Sequence, residues 1–392
     1  MAWPVVALST LAAATLAVAC SSQPDSAGSV ESALDETVIQ IRSSQGEPWG
    51  ITLPGLAAAA IAGPDDGDRV PRVVSGSSDP PGNTELIPSD RFHVGSVTKT
   101  FTAALIMQLD QSGELSLSDP ISNWIRYPGG SKITVEMLMG HTSGIPDFSE
   151  LPGRKRTDTP EQSIAFASRT KRLFAPGSQW SYSNTNYTML GVIAERATGA
   201  TWADQVRSRF FEPLALSETY VWEGESRPRT VDGSRLNCGY PGEPKCVQRP
   251  GFEIVPVTDG SDWTVAWAAG AIVSTPSDLA RWIDQLVGGE VLDAEHRRLL
   301  TSPTPQSIEA LSGSPSYGAV RWTGGSLGLL RYAIDGQGTG WGHEGSINGF
   351  VSNVVRMDES GRSVAVASNF LQTDSFAALG ELVTAVNDAA RP

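Results

Sequence analysis

Apolar residues recur along this chain with two periods that alternate in blocks. Over residues 31–45, Ala33, Leu34, Val38, Ile39 and Ile41 fall on one side of a helix. Residues 54–62 are a continuous apolar run short enough for a buried strand, and 69–75 read as a second strand. A turn-rich stretch over 76–88 leads to Phe92-His93-Val94. A helical stripe follows, made by Val97, Phe101, Ala104, Leu105 and Leu109 and stopped at Gly113. Helical signals then dominate to about residue 265. Thr134 caps a helix over 134–139, Gly199 stops one over 186–198, and Pro213 stops one over 202–211. Residues 222–260 form a Pro/Gly-rich excursion. After Gly270 come a helix over 277–287, strand-like runs at 318–323, 329–334, 350–357 and 363–368, and a closing helix over 377–389. Asp358-Glu359-Ser360-Gly361 gives a hairpin signal between the last two strands.

This order predicts an α/β protein. One sheet is built from both ends of the chain (31–95 and 266–392), a helical domain (96–265) is inserted between them, and the active site lies at the seam. The composition is that of a globular protein, with 40% hydrophobic and 18% charged residues. A net charge of -14 argues against nucleic acid as a partner. The first residues read differently. Residues 3–19 are nearly unbroken apolar sequence ending in Leu16-Ala17-Val18-Ala19-Cys20, followed by a polar linker to residue 30. This resembles a bacterial lipoprotein signal (1–19) whose cysteine carries the lipid, and it implies a membrane partner through Cys20 and a place on the extracytoplasmic face of the cell membrane, or plain secretion. In such an oxidising compartment Cys238 and Cys246 can close a small disulfide loop, and no histidine lies near them to make a zinc site.

Candidate chemistry begins at Gly95-Ser96-Val97-Thr98-Lys99. Positions i and i+3 share a helix face, so the Ser96 hydroxyl and the Lys99 amine are expected to meet in one cleft. A hydroxyl beside a lysine that burial can deprotonate is the basis of an acyl-transfer site. In Trp180-Ser181-Tyr182-Ser183-Asn184, a tyrosine next to that lysine is expected to shuttle protons, its phenol acidified by the cation, and Asn184 to hold a substrate amide. Trp341-Gly342-His343-Glu344-Gly345-Ser346 places glycines at a strand edge, where a substrate backbone can approach. His141 reads as loop-ordering, His93 as structural or cleft-lining, and His296 as a solvated residue in a charged helical patch.

Ser-x-x-Lys, Tyr-x-Asn and His-x-Gly in this order, roughly 85 and then 160 residues apart, resemble the penicillin-recognising serine hydrolases. That group includes class C β-lactamases, D-Ala-D-Ala carboxypeptidases, and their esterase and D-aminopeptidase relatives. The segments at 92–99, 141–144, 181–187 and 269–275 share the resemblance, which runs from about residue 35 to 390. It implies a β-lactamase/transpeptidase-like fold with an antiparallel sheet flanked by the terminal helices. It makes Ser96 the acylated nucleophile, with Lys99 and Tyr182 moving its proton. Asn184 would bind the substrate's amide, and His343 would stand where other branches have lysine. Gly345 allows close approach, and the backbone N–H groups of Ser96 and Ser346 would form the oxyanion hole. No metal or organic cofactor is implied. The substrate is a small molecule or a peptidoglycan-stem peptide, hydrolysed by a D-Ala-D-Ala carboxypeptidase-type or D-stereospecific peptidase, or alternatively by an esterase or amidase. A β-lactamase proper and a non-catalytic binding protein are the remaining readings. Where many relatives have His-Thr-Gly, this chain has Glu344, whose carboxylate would repel a terminal carboxylate. Arg321 is expected to compensate from the preceding strand.

Overall fold

The computed structural model describes residues 26–63, 70–153, 159–224, 227–237, 252–257 and 261–391. Cys20, Cys238 and Cys246 lie outside them, as do residues 1–25, expected above to hold a lipoprotein signal, and about half of the Pro/Gly-rich excursion.

The chain opens with helix α1 (Ser26–Gly46), which starts five residues earlier than the periodicity suggests, followed by strands β1 (Gly55–Ile61) and β2 (Arg72–Gly76). A short strand β3 (Phe92–His93) leads into helix α2 (Thr98–Ser112). The helical stretch contains α3 (Val135–Met139), α4 (Pro160–Ala167), α5 (Asn184–Thr198) and α6 (Trp202–Val206). Short strands β4 (Tyr220–Val221), β5 (Ser234–Leu236) and β6 (Ile254–Pro256) come next, then α7 (Ser261–Ala266) and β7 (Ile272–Ser274). Helices α8 (Pro276–Gly288), α9 (Ala294–Leu300) and α10 (Pro305–Leu311) precede five strands. These are β8 (Val320–Gly325), β9 (Leu330–Ile334), β10 (Gly338–Ile347), β11 (Phe350–Met357) and β12 (Ser363–Ser368), and α11 (Ser375–Ala389) closes the fold.

Both ends of the chain build one seven-stranded antiparallel sheet in the order β2-β1-β12-β11-β10-β9-β8. Its centre is covered on both faces. The stripe Val30, Leu34, Val38 and Ile41 of α1 packs with Leu379, Leu382 and Val386 of α11 over Ala58, Ala60, Val364 and Val366. On the other face Leu279 and Ile283 of α8 join Ala59, Val354 and Ala365 in the larger core, which continues into the helical layer. Burial on both sides explains why β1 and β12 read as unbroken apolar runs instead of alternating ones. Alanines at Ala57 to Ala60 let the covering helices sit close.

Helix α2 lies between this sheet and the helical layer, buried on nearly every side. Its polar residues are paired internally. Thr100 Oγ1 accepts from Trp282 Nε1 at 2.7 Å, and Thr102 Oγ1 donates to Ala268 O at 2.7 Å. Phe101 stacks on Trp282 with ring centroids 3.9 Å apart. The expected apolar stripe is therefore only part of its buried surface. Strand β10 is absent from the strand-like runs of the sequence, where Gly338 reads as a turn; as expected of glycines at a strand edge, Gly342 and Gly345, and Gly340 with them, sit where neighbouring backbone comes too close for a side chain.

Candidate active site

Ser96 sits in a 3₁₀ turn, Gly95–Val97, that runs directly into α2. Two glycines weld this turn to β10. Gly95 has φ +50°, and a Cβ there would stand 2.9 Å from Ser346 N. A Cβ on Gly345 would stand 2.0 Å from Val94 O. Ser352 Oγ of β11 also donates to Val94 O at 2.9 Å. The backbone of Ser96 is thus brought beside that of Ser346, as an oxyanion hole made by these two residues requires.

One turn along, the Lys99 amine is wholly buried. Its Nζ donates to Asn184 Oδ1 at 2.7 Å and to Ala269 O at 2.7 Å, and lies 2.9 Å from Ser96 Oγ. Burial brings its pKa down from 10.5 to about 7, partly opposed by the negative charges of Asp147 and Glu344. The geometry suits the neutral amine. Two N–H groups are held by Asn184 and Ala269, leaving the lone pair directed at the Ser96 hydroxyl.

Tyr182 lies across the cleft, its ring centroid 5.0 Å from Lys99 Nζ. Burial raises its pKa well above 10, with Glu344 adding to the effect and Ser96 partly opposing it. The expectation of an acidified phenol is corrected here: desolvation outweighs any help from the lysine, and Tyr182 is a neutral phenol, a proton donor. Among the described residues no hydrogen bond of normal geometry reaches its hydroxyl. Ring packing positions it instead, with His141 stacked at 4.5 Å. His141 has φ +56°, and its Nδ1 accepts from Ser183 N at 3.2 Å and faces Asn186 Nδ2 at 3.3 Å. It orders a loop as expected, and that loop carries the tyrosine.

His343 is buried, and burial takes its pKa to about 3. Its Nδ1 donates to Glu344 O at 2.6 Å. A neutral imidazole therefore stands where a lysine would bring charge. Glu344 borders the cleft: its charge acts on both Lys99 and Tyr182, burial raises its own pKa, and its carboxylate has no hydrogen bond or ion pair among the described residues.

Arg321 does not join this cluster. Arg321 pairs with Ala333, four residues before Gly325, which lies opposite Leu330 and level with Gly342; the bulge at Trp322/Gly324 moves this register by only one residue. Arg321 sits toward the other end of an edge strand, exposed and ion-paired with Asp335 at 2.8 Å. Asn184 is also differently employed. Its Nδ2 donates to Asp147 Oδ2 at 2.8 Å and to Ser149 Oγ at 3.2 Å, so both its N–H groups are occupied within the protein. Asp147 and Ala269 were missed by the sequence reading. A backbone carbonyl has no sequence signature, and Asp147 follows the His141-Thr142-Ser143-Gly144 stretch by only three residues.

Trp341 is in the core, whereas Trp180 is half-buried and edge-on to His141. His93 is buried between Trp222 and Phe350, and burial takes its pKa to about 3. A cavity of about 640 Å³ beside Arg42 and Ser75 shares none of the residues around Ser96.

A family model described as Beta-lactamase matches residues 52–387, and the chain belongs to that family of serine hydrolases. Its fold is the β-lactamase/transpeptidase-like one. The chain is 27% identical over 326 residues to penicillin-binding protein 4 of Amycolatopsis lactamdurans, covering 81% of each. It is 27% identical over 267 residues to penicillin-binding protein 4* of Bacillus subtilis, covering 62% of this chain but only 58% of that protein's length. The solved structure of a D-stereospecific amidohydrolase from Streptomyces sp. superposes with a TM-score of 0.68 at 28% identity, covering 91% of this chain and 97% of that one. Its relatives also include a D-alanyl-D-alanine carboxypeptidase/endopeptidase and a D-amino acid amidase.

Proposed function

We propose that the protein hydrolyses amide bonds beside a D-configured residue through an acyl-enzyme on Ser96. The observation that carries this reading is the Lys99 amine, buried, held 2.9 Å from Ser96 Oγ by two fixed acceptors, and brought by burial to a pKa of about 7. Lys99 Nζ takes the Ser96 proton as Oγ bonds to the substrate carbonyl carbon. The carbonyl electron pair moves onto its oxygen, which the Ser96 and Ser346 N–H groups receive. Tyr182 gives its phenol proton to the leaving nitrogen, the C–N bond breaks, and Lys99 returns a proton to Tyr182. Water then releases the acyl group by the same steps in reverse roles.

The charges around the cleft select the substrate. Asp147 and Glu344 are acidic, His343 is neutral, and Arg321 lies elsewhere. A substrate with an amine or neutral group at Glu344 suits this field better than the terminal carboxylate of D-Ala-D-Ala. The D-stereospecific amidohydrolase and D-amino acid amidase among its neighbours support the same choice. The test is hydrolysis of paired D- and L-alanine p-nitroanilides and of a D-Ala-D-Ala peptide, with Ser96→Ala as control. Faster turnover of the D-anilide than of the other two is the expected result. Faster turnover of the D-Ala-D-Ala peptide would favour the carboxypeptidase reading instead.

The leader supports a lipid anchor on Cys20 at the outer face of the cell membrane. Radiolabelled palmitate incorporated by the whole chain, and lost on Cys20→Ala, is the expected result; an unlabelled, released protein would mean secretion.

A further inference from the structure

The loop after Gly144 is stapled to the start of α5 by an unusual density of hydrogen bonds. Asp147 Oδ2 accepts from Asn184 N at 3.1 Å and from Asn184 Nδ2 at 2.8 Å. Asp147 Oδ1 accepts from Ser149 N and Ser149 Oγ, both at 2.8 Å. Thr185 Oγ1 donates to Pro146 O at 2.7 Å and accepts from Phe148 N at 2.9 Å. An ionised carboxylate only accepts, so the side-chain amide beside it must present its nitrogen. The amide oxygen is then forced to the far side, where Lys99 Nζ lies 2.7 Å away.

We propose that Asp147 is a positioning residue: it fixes the Asn184 amide with its oxygen on Lys99 and both N–H groups turned into the protein, so that Asn184 serves the lysine and not the substrate. Without Asp147 the amide is free to rotate. A rotated amide would put N–H groups against a lysine that has only donors when charged and needs its lone pair for Ser96 when neutral. Asp147 thereby keeps the lone pair pointed at the hydroxyl without touching either reacting atom. A substrate amide finds no free donor at Asn184, and recognition of the acyl side falls to other cleft residues. This rests on the Ser96–Lys99 reading above and deepens it.

The experiment follows the rate at which a fluorophosphonate labels Ser96 by intact-protein mass, over pH 5 to 10, with thermal melting as a check on folding. Asp147→Asn is expected to slow labelling by about ten- to a hundredfold, the scale of a small misplacement at a reacting group. Its acid limb should move to lower pH, because a negative charge that supports protonated Lys99 has gone. The exchanged pair Asp147→Asn with Asn184→Asp restores donor to acceptor between the two side chains, giving up only the bond from the backbone N–H of residue 184. It should recover most of the rate while moving the acid limb above that of the wild type, since a carboxylate now faces the amine. A wild-type rate and profile in Asp147→Asn would overturn the proposal. So would an exchanged pair that is unfolded or no faster than Asp147→Asn. If Asp147→Asn does not fold, the exchanged pair is compared with the wild type instead: a folded pair whose rate at high pH lies within about tenfold supports the proposal, and a larger loss overturns it. The phosphonate reports Ser96 reactivity for any natural substrate. An enzyme that is labelled but ignores D-amides would therefore fail the substrate assignment and leave this one standing.

Discussion

The two ends of α2 handle a buried base in opposite ways. At the N-terminal end Lys99 is enclosed, and its direct neighbours are a hydroxyl, an amide oxygen and a backbone carbonyl. At the C-terminal end Asp110 contacts His296 Nε2 at 2.9 Å, and Asp293 contacts His296 Nδ1 at 2.8 Å. Burial lowers the pKa of His296, but the two carboxylates outweigh it and leave it raised. Burial lowers the pKa of Lys99 to about 7, and the nearest carboxylates cannot reverse this because Asn184 stands between Asp147 and the amine. The difference shows what turns a buried cation into a base. Carboxylates in contact hold a proton in place, whereas a carboxylate kept one amide away lets it leave.

The strongest way to break this comparison is to remove the base. Lys99→Ala should slow labelling of Ser96 by about a hundred- to ten-thousandfold, the usual span for general base catalysis, with a normal melting temperature. A variant that still labels at the wild-type rate would leave the amine without a role. Next comes Tyr182→Phe. Since Tyr182 donates to the leaving group, hydrolysis of an anilide should fall by about a hundredfold, and that of a p-nitrophenyl ester, whose leaving group needs no proton, by far less. Equal losses on the two substrates would place the tyrosine elsewhere in the reaction.

Two smaller effects sharpen the picture. Wild-type acylation should rise as pH passes through about 7, where Lys99 loses its proton. Glu344→Gln removes a charge that favours the protonated lysine, so this rise should move to lower pH by up to about one unit. A shift upward in the measured rate profile would contradict the charge assignment. At the other end of α2 the sign is reversed. A histidine whose folded pKa is raised gives stability that is complete below its unfolded value near 6.5 and is lost as pH rises through the folded value. His296→Asn should therefore lower the melting temperature by about 2 °C at pH 5.5, and by less at pH 9. A difference that is constant across that range would mean packing, not charge.

Much of this arrangement was readable from the residues. Ser96 and Lys99 are three apart on a helix, so local geometry alone brings them together. Thr134 caps its helix through Met137 N, as its sequence suggests, and Thr275 caps α8 in the same way through Asp278 N. What stayed hidden depends on contacts between distant segments. Lys99 meets Ala269 across 170 residues, and Asp147 meets Asn184 across 37. Strand β10 carries four glycines and no run of apolar side chains, so its length shows only once the neighbouring backbone is known. Arg321 was misplaced because the pairing of β8 with β9, which sets it opposite Ala333 and away from the cleft, is not written in either strand alone. His296 has the composition of a solvated residue, and only the fold shows it clamped between two carboxylates.

The weld between the Ser96 turn and β10 has a mechanical consequence. Gly95 and Gly345 let the Ser96 turn and β10 approach at backbone distance, so the spacing of Ser96 and Ser346 is set by a seven-stranded sheet. Tyr182, Asn184 and Asp147 belong to the helical layer, and Lys99 is the link between the two. A slip of one layer over the other would spare the oxyanion hole and break proton transfer. Gentle heating or low denaturant should thus produce molecules that still hold an anion at Ser96 but no longer turn over, a loss of gearing ahead of a loss of grip.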